Sequence, residues 1–433
     1  MHHLRYVLLS LAAALALGRP AAAETVVKIG LILTYSGPYA SDGEEIDRAA
    51  ELYLKLHQKD LPTGVRIELL KRDDTGPSPD VAKRLAQDLI VRERVQILAG
   101  CVFTPNAAAI APLATEAKIP FVLMGSGTSS TTRLSAYITR FSFTQWQMSE
   151  PLGRWAAANG YRTAVTLVTD YAPGYDAEAA FTRGFTEGQG KVVSALRVPV
   201  KNPDFAPFLA RIRDSAPSAL FVFTPGGAPA VAVVKGFKEL GLDQAGIQLM
   251  TSGATLADNE LPSLGEAALG AISASHYSAS GERPANAAFV AAWRAAYGEA
   301  SLPNYFSVGG WDAMAAIVDV VKETQGKVTA DEAMTILKNW KNPESPRGPI
   351  MIDAATRDII QDIYIRRTET VGGKLANVEF DTIRQVKDPW NSIRHEPQGM
   401  MRQTMALLSL QGVVGSSAMT TLPSMRRAIV RAS

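Results

Sequence analysis

One segment indicates the fold most clearly: it begins Gln96-Ile-Leu-Ala-Gly-Cys-Val-Phe-Thr-Pro-Asn106, continues through alanine-rich sequence to Lys118, and ends in Ile119-Pro-Phe-Val-Leu-Met-Gly-Ser-Gly-Thr-Ser-Ser130. Two short apolar runs separated by a segment of helical length predict a strand, a helix and a second strand. Parallel strands need such a crossover, which is almost always right-handed. The loops that follow the two strands are therefore expected at the same carboxyl edge of one sheet.

Small and hydroxylated residues occupy both of these loops. Thr104 follows the first strand, and Ser126, Gly127 and Thr128 follow the second. Hydroxyls and open backbone N–H groups beside helix N-termini favour an anion, because the helix dipole and the unpaired donors attract negative charge. We expect a carboxylate to bind there. The alternative is that each of these residues is an ordinary N-cap or turn residue.

The same alternation of apolar runs and helical segments extends along most of the chain. Val26–Leu33 and Val65–Lys71 precede the quoted stretch, and the alternation restarts at Ala164–Val168 and continues beyond Ile247–Met250. This pattern predicts an α/β fold with two doubly wound parallel-sheet lobes, which bind ligands at the carboxyl ends of their strands. Extended segments on either side of Gly372-Gly373 predict a terminal hairpin.

Length and composition limit the function classes. The chain has 433 residues, which is long for a single core, so more than one domain is expected. Charged residues make up 20% of the chain, and neither nucleic-acid binding nor disorder is indicated. Cys101 is the only cysteine, which excludes an intrachain disulfide. Its place at a strand end predicts a buried, inert thiol.

The two ends of the chain differ from the body. Met1–Ala23 has Arg5 near its start, an apolar core and Ala21-Ala22-Ala23 before Glu24. These are the parts of a secretory signal peptide, and the apolar core is too short to span a bilayer. From Trp390 onward, arginines occur without a helical or strand period, and we expect residues 390–433 to be disordered.

The residues needed for catalysis are missing from the sequence. There is no Gly-x-Ser-x-Gly motif, and beyond residue 23 the histidines are His57, His276 and His395, too few for a triad or a zinc cluster at any one place. The Gly-Lys pairs lack the Ser or Thr of a phosphate-binding loop. Asp73-Asp74 lies in a loop and is expected to be solvated. We expect no enzyme activity, cofactor or metal.

An ordered set of motifs resembles the branched-chain amino-acid (Leu/Ile/Val) type of periplasmic substrate-binding protein for ABC transporters. The resemblance covers about residues 24–389 and lies in Val27-Lys-Ile-Gly-Leu-Ile-Leu-Thr-Tyr-Ser-Gly-Pro-Tyr-Ala40, Arg72-Asp-Asp-Thr-Gly76, Ala82-Lys-Arg-Leu-Ala-Gln-Asp-Leu-Ile90, Ala99-Gly-Cys-Val-Phe-Thr-Pro-Asn106, Asp204-Phe-Ala-Pro-Phe-Leu-Ala-Arg-Ile212 and Gly309-Gly-Trp-Asp-Ala-Met314. It implies a type I fold with two lobes that close on a ligand around a three-segment hinge. The three crossovers of this hinge would lie near 141–145, 275–277 and 345–349. Lobe one would comprise 24–142 with 277–346, and lobe two 145–274 with 349–388.

The resemblance also implies how a ligand is held. The family binds the ligand's carboxylate through a hydroxyl in one loop, here Thr104, and through a small-small-Thr loop, here Ser126 to Thr128. Amino-acid binders add an acidic residue after the strand equivalent to Ile247–Met250, where this chain has Ser252 and its neighbours instead. An unpaired buried ammonium costs several kcal/mol, so an organic acid fits better than an α-amino acid. Asp42 or Asp170 could still replace the missing acid.

Aromatic residues and glycines are the candidates for the rest of the binding site. The family's aromatic position in lobe two falls on Pro173, so Tyr171 and Tyr175 are the nearest rings. Gly226-Gly227 matches a loop that approaches the ligand through its backbone. Further wall candidates, each of which could equally be a core or hinge residue, are Tyr39, Phe103, Trp146 and Tyr277. An aromatic carboxylate is the favoured ligand class.

We expect the protein to capture a small organic acid or amino acid in the periplasm. It would act as a monomer and deliver the ligand to the membrane permease of an ABC importer. Rotation about the hinge would bring lobe two over a ligand already bound to lobe one. Two alternatives stay open. The same clamp could report its ligand to a signalling receptor, and a secreted hydrolase is the more distant alternative.

Overall fold

The computed structural model describes residues 24–393, and within them the strands form two sheets. The first sheet is entirely parallel and has the order β2-β1-β3-β4-β5. Its strands are β1 Thr25–Leu33, β2 Val65–Asp73, β3 Ile97–Gly100, β4 Phe121–Leu123 and β5 Ile138–Arg140. Helices α1 Ala40–His57, α2 Pro79–Asp88 and α3 Thr104–Glu116 connect the first four strands. The crossover predicted from β3 through α3 to β4 is confirmed by the parallel pairing of Leu98 with Phe121.

The second sheet repeats this order and then adds antiparallel strands. Its parallel part has the order β7-β6-β8-β9-β10, and β13 pairs antiparallel with β10. The parallel strands are β6 Thr163–Thr169, β7 Lys191–Val198, β8 Ala219–Phe223, β9 Gln248–Ser252 and β10 Ile272–Ser275. The added strands are β11 Lys341–Asn342, β12 Ile350–Ile352, β13 Ile359–Val371 and β14 Lys374–Val386. The helices are α4 Gln145–Ala158, α5 Ala172–Glu187, α6 Ala206–Ser215, α7 Ala228–Glu239 and the short α8 Leu261–Leu264.

The hydrophobic runs explain why these segments are strands. The side chains of β3, β4, β8 and β10 are buried throughout, because helices cover both faces of a parallel sheet. The predicted hairpin is present as β13 and β14, with Gly372 and Gly373 both at positive φ in the two-residue turn. In each sheet the strand order reverses at one strand: β2 and β3 lie on opposite sides of β1, and β7 and β8 lie on opposite sides of β6. Such a reversal opens a crevice at the carboxyl edge of the sheet.

Three later helices return to the first sheet. They are α9 Pro284–Tyr297, α10 Tyr305–Glu323 and α11 Ala330–Lys338. A Cβ atom on Gly310 of α10 would lie 2.5 Å from the carbonyl oxygen of Ile46, so α10 packs directly on α1. We call the first sheet with α1–α3 and α9–α11 lobe one, and the second sheet with α4–α8 lobe two. β11 lies before residue 346, the predicted end of lobe one, but it pairs with β12 in the second sheet.

The buried guanidinium of Arg347 links the first and third predicted crossovers. It donates from Nη2 to Phe141 O at 2.6 Å and from Nη1 to Ser142 O at 2.9 Å, both in the first crossover. It also donates to Asp312 Oδ2 of lobe one at 2.9 Å and to Gln361 Oε1 of lobe two at 2.7 Å. One side chain therefore joins two crossovers and both lobes.

Two further buried arginines stand beside crossovers. Arg140, at the end of β5, pairs with Asp358 at 2.8 Å, and Arg366 of β13 pairs with Asp258 at 3.4 Å. Arg366 also donates to the carbonyl oxygen of Tyr277 at 2.6 Å. The side chains of Arg140, Arg347 and Arg366 are 0% exposed, so each is held by partners inside the protein.

Several sequence predictions concern the ends of the chain. The signal peptide at residues 1–23 and the tail from residue 394 lie outside the described residues. Trp390–Ile393 forms a short helical turn, where the sequence predicted disorder. No helix within residues 24–393 combines the length and apolar character that crossing a membrane requires.

Candidate ligand-binding cleft

The loops after β3 and β4 are in direct contact, at the carboxyl edge where the sequence placed them. The Ser126 amide donates to Val102 O at 2.9 Å, and its hydroxyl donates to Cys101 O at 3.2 Å. Cys101 and Ser126 both have positive φ, 60° and 63°, which is rare for residues with a side chain. Such backbone geometry clusters at binding sites, where the surrounding contacts hold it in place.

Thr104 and Thr128 bring one buried hydroxyl each to this edge. Thr104 is the first residue of α3, and Thr128 precedes the short 3₁₀ helix Ser129–Leu134. They are 6% and 7% exposed, and neither Oγ1 atom has a hydrogen-bond partner among the residues that the structure describes. Burying a hydroxyl without a partner costs free energy, and a ligand that accepts its hydrogen bond would remove that cost.

Ser126 and Gly127 hold the shape of the second loop. The Ser126 hydroxyl already donates to Cys101 O, so it is committed to the protein itself. A Cβ atom on Gly127 would lie 2.9 Å from the Phe143 ring, which leaves no room for a side chain. Behind the loop, Arg140 donates to the carbonyl oxygens of Ser126 and Thr128, both at 2.8 Å.

A carboxylate also links the loops after β1, β2 and β3. Asp74 is 0% exposed and accepts hydrogen bonds from Thr34 Oγ1 at 2.6 Å and Asn106 Nδ2 at 2.8 Å. The prediction of a solvated pair was therefore wrong for Asp74. Its burial raises the pKa of the carboxyl, against the effect of these hydrogen bonds. Because Asn106 belongs to the first turn of α3, Asp74 fixes the helix end that carries Thr104.

The two lobes are closed on each other in this structure. Tyr39 Oη donates to Val200 O across the cleft at 2.9 Å. The amide of Ser129 donates to Asp176 Oδ2 of α5 at 2.8 Å. Burial raises the pKa of Asp176 to about 6, even though the Ser129 hydrogen bond acts in the opposite direction. The loop that carries Thr128 therefore faces lobe two directly.

Aromatic rings from both lobes stand beside this interface. The ring of Phe103 packs edge-on against Tyr39, with 5.1 Å between ring centroids. Tyr171, directly before α5, stacks on Phe223 at 6.1 Å. Tyr277 is buried and packs against Phe289 at 6.3 Å, on the side of the second crossover.

Tyr171 and Tyr175, the alternatives from the sequence, have different surroundings. Tyr175 is 42% exposed, its hydroxyl donates to Asp170 at 2.8 Å, and the Arg197 guanidinium lies 4.6 Å from its ring centroid. The structure therefore places Tyr175 and Asp170 at the surface of lobe two. Tyr171 is half-buried and packs against the main hydrophobic core.

Glycines let lobe two approach lobe one closely. A Cβ atom on Gly226 would lie 2.5 Å from Asp42 Oδ1, and one on Gly227 would lie 2.6 Å from Pro38 O. Gly227 also has a φ of 73°, which favours glycine. Ser252, at the end of β9, is buried, and its hydroxyl lacks a partner within residues 24–393. The Gly226-Gly227 loop thus meets lobe one through its backbone.

Comparison with known proteins identifies the family. A family model described as "Periplasmic binding protein" matches residues 26–374. The chain belongs to the periplasmic binding protein family. The resemblance drawn from the sequence is thereby confirmed, together with the α/β fold of two parallel-sheet lobes.

Relatives of this periplasmic binding protein cover nearly its whole described length. The Leu/Ile/Val-binding protein homolog 6 of Brucella melitensis biotype 1 is 37% identical over 387 residues, which are 89% of this chain and 99% of that protein. A solute-binding protein of an ABC transporter from Rhodopseudomonas palustris BisB5, solved with 3,4-dihydroxybenzoic acid, is 46% identical with a TM-score of 0.82. The match covers 85% of this chain and 100% of that one. A solute-binding protein from R. palustris HaA2, solved with p-hydroxybenzoic acid, is 40% identical with a TM-score of 0.81, and the match covers 84% and 99% of the two chains.

Some residues at the cleft of this periplasmic binding protein were not singled out by sequence. Asp176 and Val200 contact lobe one, and Arg140 supports the Thr128 loop from behind. A single charged residue in the otherwise uncharged segment 138–143 was the available signal for Arg140. His276 is buried against Phe143, with 5.4 Å between ring centroids, and its Nε2 atom lies 3.0 Å from Tyr305 O. No group of three or more His, Cys, Asp or Glu residues within the described range is arranged to hold a metal ion.

Proposed function

We propose that this chain is the solute-binding protein of an ABC importer and that it captures an aromatic carboxylate between its lobes. The observation that carries the proposal is the pair of buried hydroxyls of Thr104 and Thr128, on loops that touch, which have no partner among residues 24–393. Both hydroxyls donate to the ligand carboxylate in this proposal. Hydrogen bonds to a charged acceptor are about twice as strong as neutral ones.

Closure of the lobes supplies the remaining affinity. A micromolar dissociation constant corresponds to about −8 kcal/mol, which a few charge-assisted hydrogen bonds and a buried apolar body can provide. The contacts from Tyr39 to Val200 and from Ser129 to Asp176 form only when the lobes meet. Ligand binding in lobe one and lobe closure are therefore coupled.

An aromatic ring suits the walls of the cleft better than an amino acid. Tyr39, Phe103 and Tyr171 present rings from both lobes. The segment Thr251-Ser-Gly-Ala254 at the end of β9, where amino-acid binders have an acidic residue, contains no carboxylate for an α-ammonium group. The two solved relatives at 46% and 40% identity, bound to dihydroxybenzoic and hydroxybenzoic acid, support the same ligand class.

Calorimetric titration tests the ligand class. The mature protein should bind 4-hydroxybenzoate and 3,4-dihydroxybenzoate, whereas leucine, isoleucine and valine should give no measurable heat of binding. A thermal-shift series provides an independent readout, because ligand at a hundredfold excess over its dissociation constant stabilises the folded state by about 2.7 kcal/mol. Binding of the amino acids but not of the aromatic acids would contradict the proposal.

The importer role implies a place and a partner. The protein would act in the periplasm as a monomer without enzymatic activity and deliver its ligand to a membrane permease. Deleting the gene should abolish uptake of the aromatic acid and leave its intracellular metabolism intact. Normal uptake combined with loss of a transcriptional response would identify a sensor instead.

A further inference from the structure

The Asp42 carboxyl at the cleft is buried and takes no part in the contacts between the lobes named above. Asp42 lies in the first turn of α1 and is 3% exposed. Its Oδ2 atom has no hydrogen-bond partner, and no ion pair involves this residue in the part of the chain that the structure describes. A buried carboxyl without a partner is costly, so a purely structural role does not explain it.

The Asp42 carboxyl faces the opposite lobe. Its Oδ1 atom lies 2.5 Å from the position of a Cβ atom on Gly226. Any side chain at Gly226 would therefore strike the carboxyl, and glycine lets the loop backbone approach it closely. The chain thus brings a buried polar group and a side-chain-free loop together across the closed cleft.

Three tyrosines are close enough to this carboxyl to be affected by its charge. Burial, followed by the charge of Asp42, raises the pKa of Tyr39 and of Tyr305. Burial, Tyr39 and then Asp42 raise the pKa of Tyr171. Burial and the nearby Glu260 and Glu45 raise the pKa of Asp42 itself well above its ordinary value. Asp42 therefore stands in an aromatic, acidic environment in which its neutral form is favoured.

Asp42 and the threonine hydroxyls lie at different points along the sheet edge. Asp42 follows β1, Thr104 follows the adjacent strand β3, and Thr128 follows β4 on the far side of β3. The ends of β3 and β4 therefore lie about 5 Å and about 10 Å from the end of β1. An α-ammonium group, one carbon from its carboxylate, does not span the longer of these separations. A substituent on the far side of an aromatic ring does.

We propose that Asp42 recognises a hydroxyl group on the ring position remote from the ligand carboxylate, and that it makes the protein selective for hydroxylated aromatic acids. The proposal rests on the proposed function and narrows its ligand class. A carboxyl group can donate to a hydroxyl when protonated and accept from it in either state, so the pair is matched. An unsubstituted ring would leave the carboxyl unpaired beneath Gly226, at a cost in affinity.

The test is a calorimetric comparison of 4-hydroxybenzoate with benzoate on the full mature protein. Wild type should bind 4-hydroxybenzoate roughly tenfold to a hundredfold more tightly. Asp42→Leu, which is close in size and lacks the polar atoms, should bind the two acids within about threefold of each other. Asp42→Asn keeps a donor and an acceptor and should retain the preference in reduced form. Glu44→Leu, at an exposed position of the same helix, should retain the full preference.

The possible failures are distinguishable. Equal affinity of wild type for the two acids would overturn the role of Asp42 and leave the proposed function standing. The same would follow if Asp42→Leu weakened both acids by one common factor. Binding of neither acid to wild type would overturn the proposed function as well. Melting curves of Asp42→Leu establish that the variant is folded before its affinities are compared.

Discussion

The hinge and the cleft both bury polar groups, but they satisfy them in opposite ways. At the hinge, Arg347 is 0% exposed and donates to Asp312, Gln361 and two backbone carbonyls. At the cleft, Thr104 and Thr128 are almost as deeply buried, and their hydroxyls have no partner within residues 24–393. Burial therefore has two consequences in this protein: it fixes the crossovers in one region, and in the other it leaves unpaired the hydroxyls that we propose bind a ligand.

The energetic consequence differs between the two regions. A fully partnered network keeps its charges compensated, so it defines one geometry but becomes costly when a single member is removed. An unpaired hydroxyl already costs about 1 to 3 kcal/mol in the free protein, and removing it relieves that cost. Mutations should therefore lower stability at the hinge and lower ligand affinity at the cleft.

The largest effect is expected at Arg347. Arg347→Met leaves the Asp312 carboxylate buried without its cation and should lower the free energy of unfolding by about 3 to 5 kcal/mol in urea titrations. Adding Asp312→Leu should restore part of that loss, because the double variant no longer buries an unpaired charge. Arg66→Met, which removes an exposed pair with Glu24, should cost less than about 1 kcal/mol. Equal losses for Arg347→Met and Arg66→Met would refute the distinction.

Glu45 is an intermediate case, buried at the cleft side but partly partnered. It accepts from the Ser307 hydroxyl and lies 3.7 Å from Arg48, and burial still raises its pKa to about 7. The folded state therefore binds more protons than the unfolded state at intermediate pH, and the contribution of Glu45 to stability falls as pH rises through that window. From about pH 4.5 to about pH 8, the free energy of unfolding of Glu45→Gln should rise by about 1 to 3 kcal/mol relative to that of wild type.

Unfolding measured at both pH values checks this expectation. Glu116→Gln, at an exposed position of α3, is the matched control and should follow the wild-type pH profile. A constant difference between Glu45→Gln and wild type across the range would show that burial does not perturb this carboxyl.

A smaller effect, with opposite signs for stability and binding, is expected at Thr128. Thr128→Val removes the buried hydroxyl at nearly constant volume. Affinity for an aromatic carboxylate should fall by about 1 to 3 kcal/mol, while the free energy of unfolding stays equal or rises slightly. Calorimetry and urea titration of one preparation give both numbers. Unchanged affinity would remove Thr128 from the site.

The smallest effect is expected at Tyr175. Its hydroxyl is bonded to Asp170 at the surface, outside the cleft contacts. Tyr175→Phe should change ligand affinity by less than about 0.5 kcal/mol in the same titration. Tyr171→Phe is the companion variant, because Tyr171 stacks on Phe223 and packs against the main core, and burial, Tyr39 and then Asp42 raise its pKa. A larger loss for Tyr175→Phe than for Tyr171→Phe would reverse this assignment.

The sequence predicted the sheets well, because buried parallel strands are short apolar runs that alternate with helices. It also predicted that Thr104 and Thr128 lie at one edge of the sheet, because parallel strands and right-handed crossovers fix where the loops emerge. It did not separate Tyr171 from Tyr175, which depends on α5 beginning at Ala172 and turning Tyr175 outward. Nor did it distinguish Arg347 and Asp74 from solvated charges, because partners distant in sequence decide whether a charge is buried.

A crystal structure of the protein with 3,4-dihydroxybenzoate bound would test the proposed site most directly. We expect the carboxylate within hydrogen-bond distance of the Thr104 and Thr128 hydroxyls, with the ring between Tyr39 and Tyr171 and the lobes closed. A carboxylate bound elsewhere, with both threonine hydroxyls still unpaired, would contradict it.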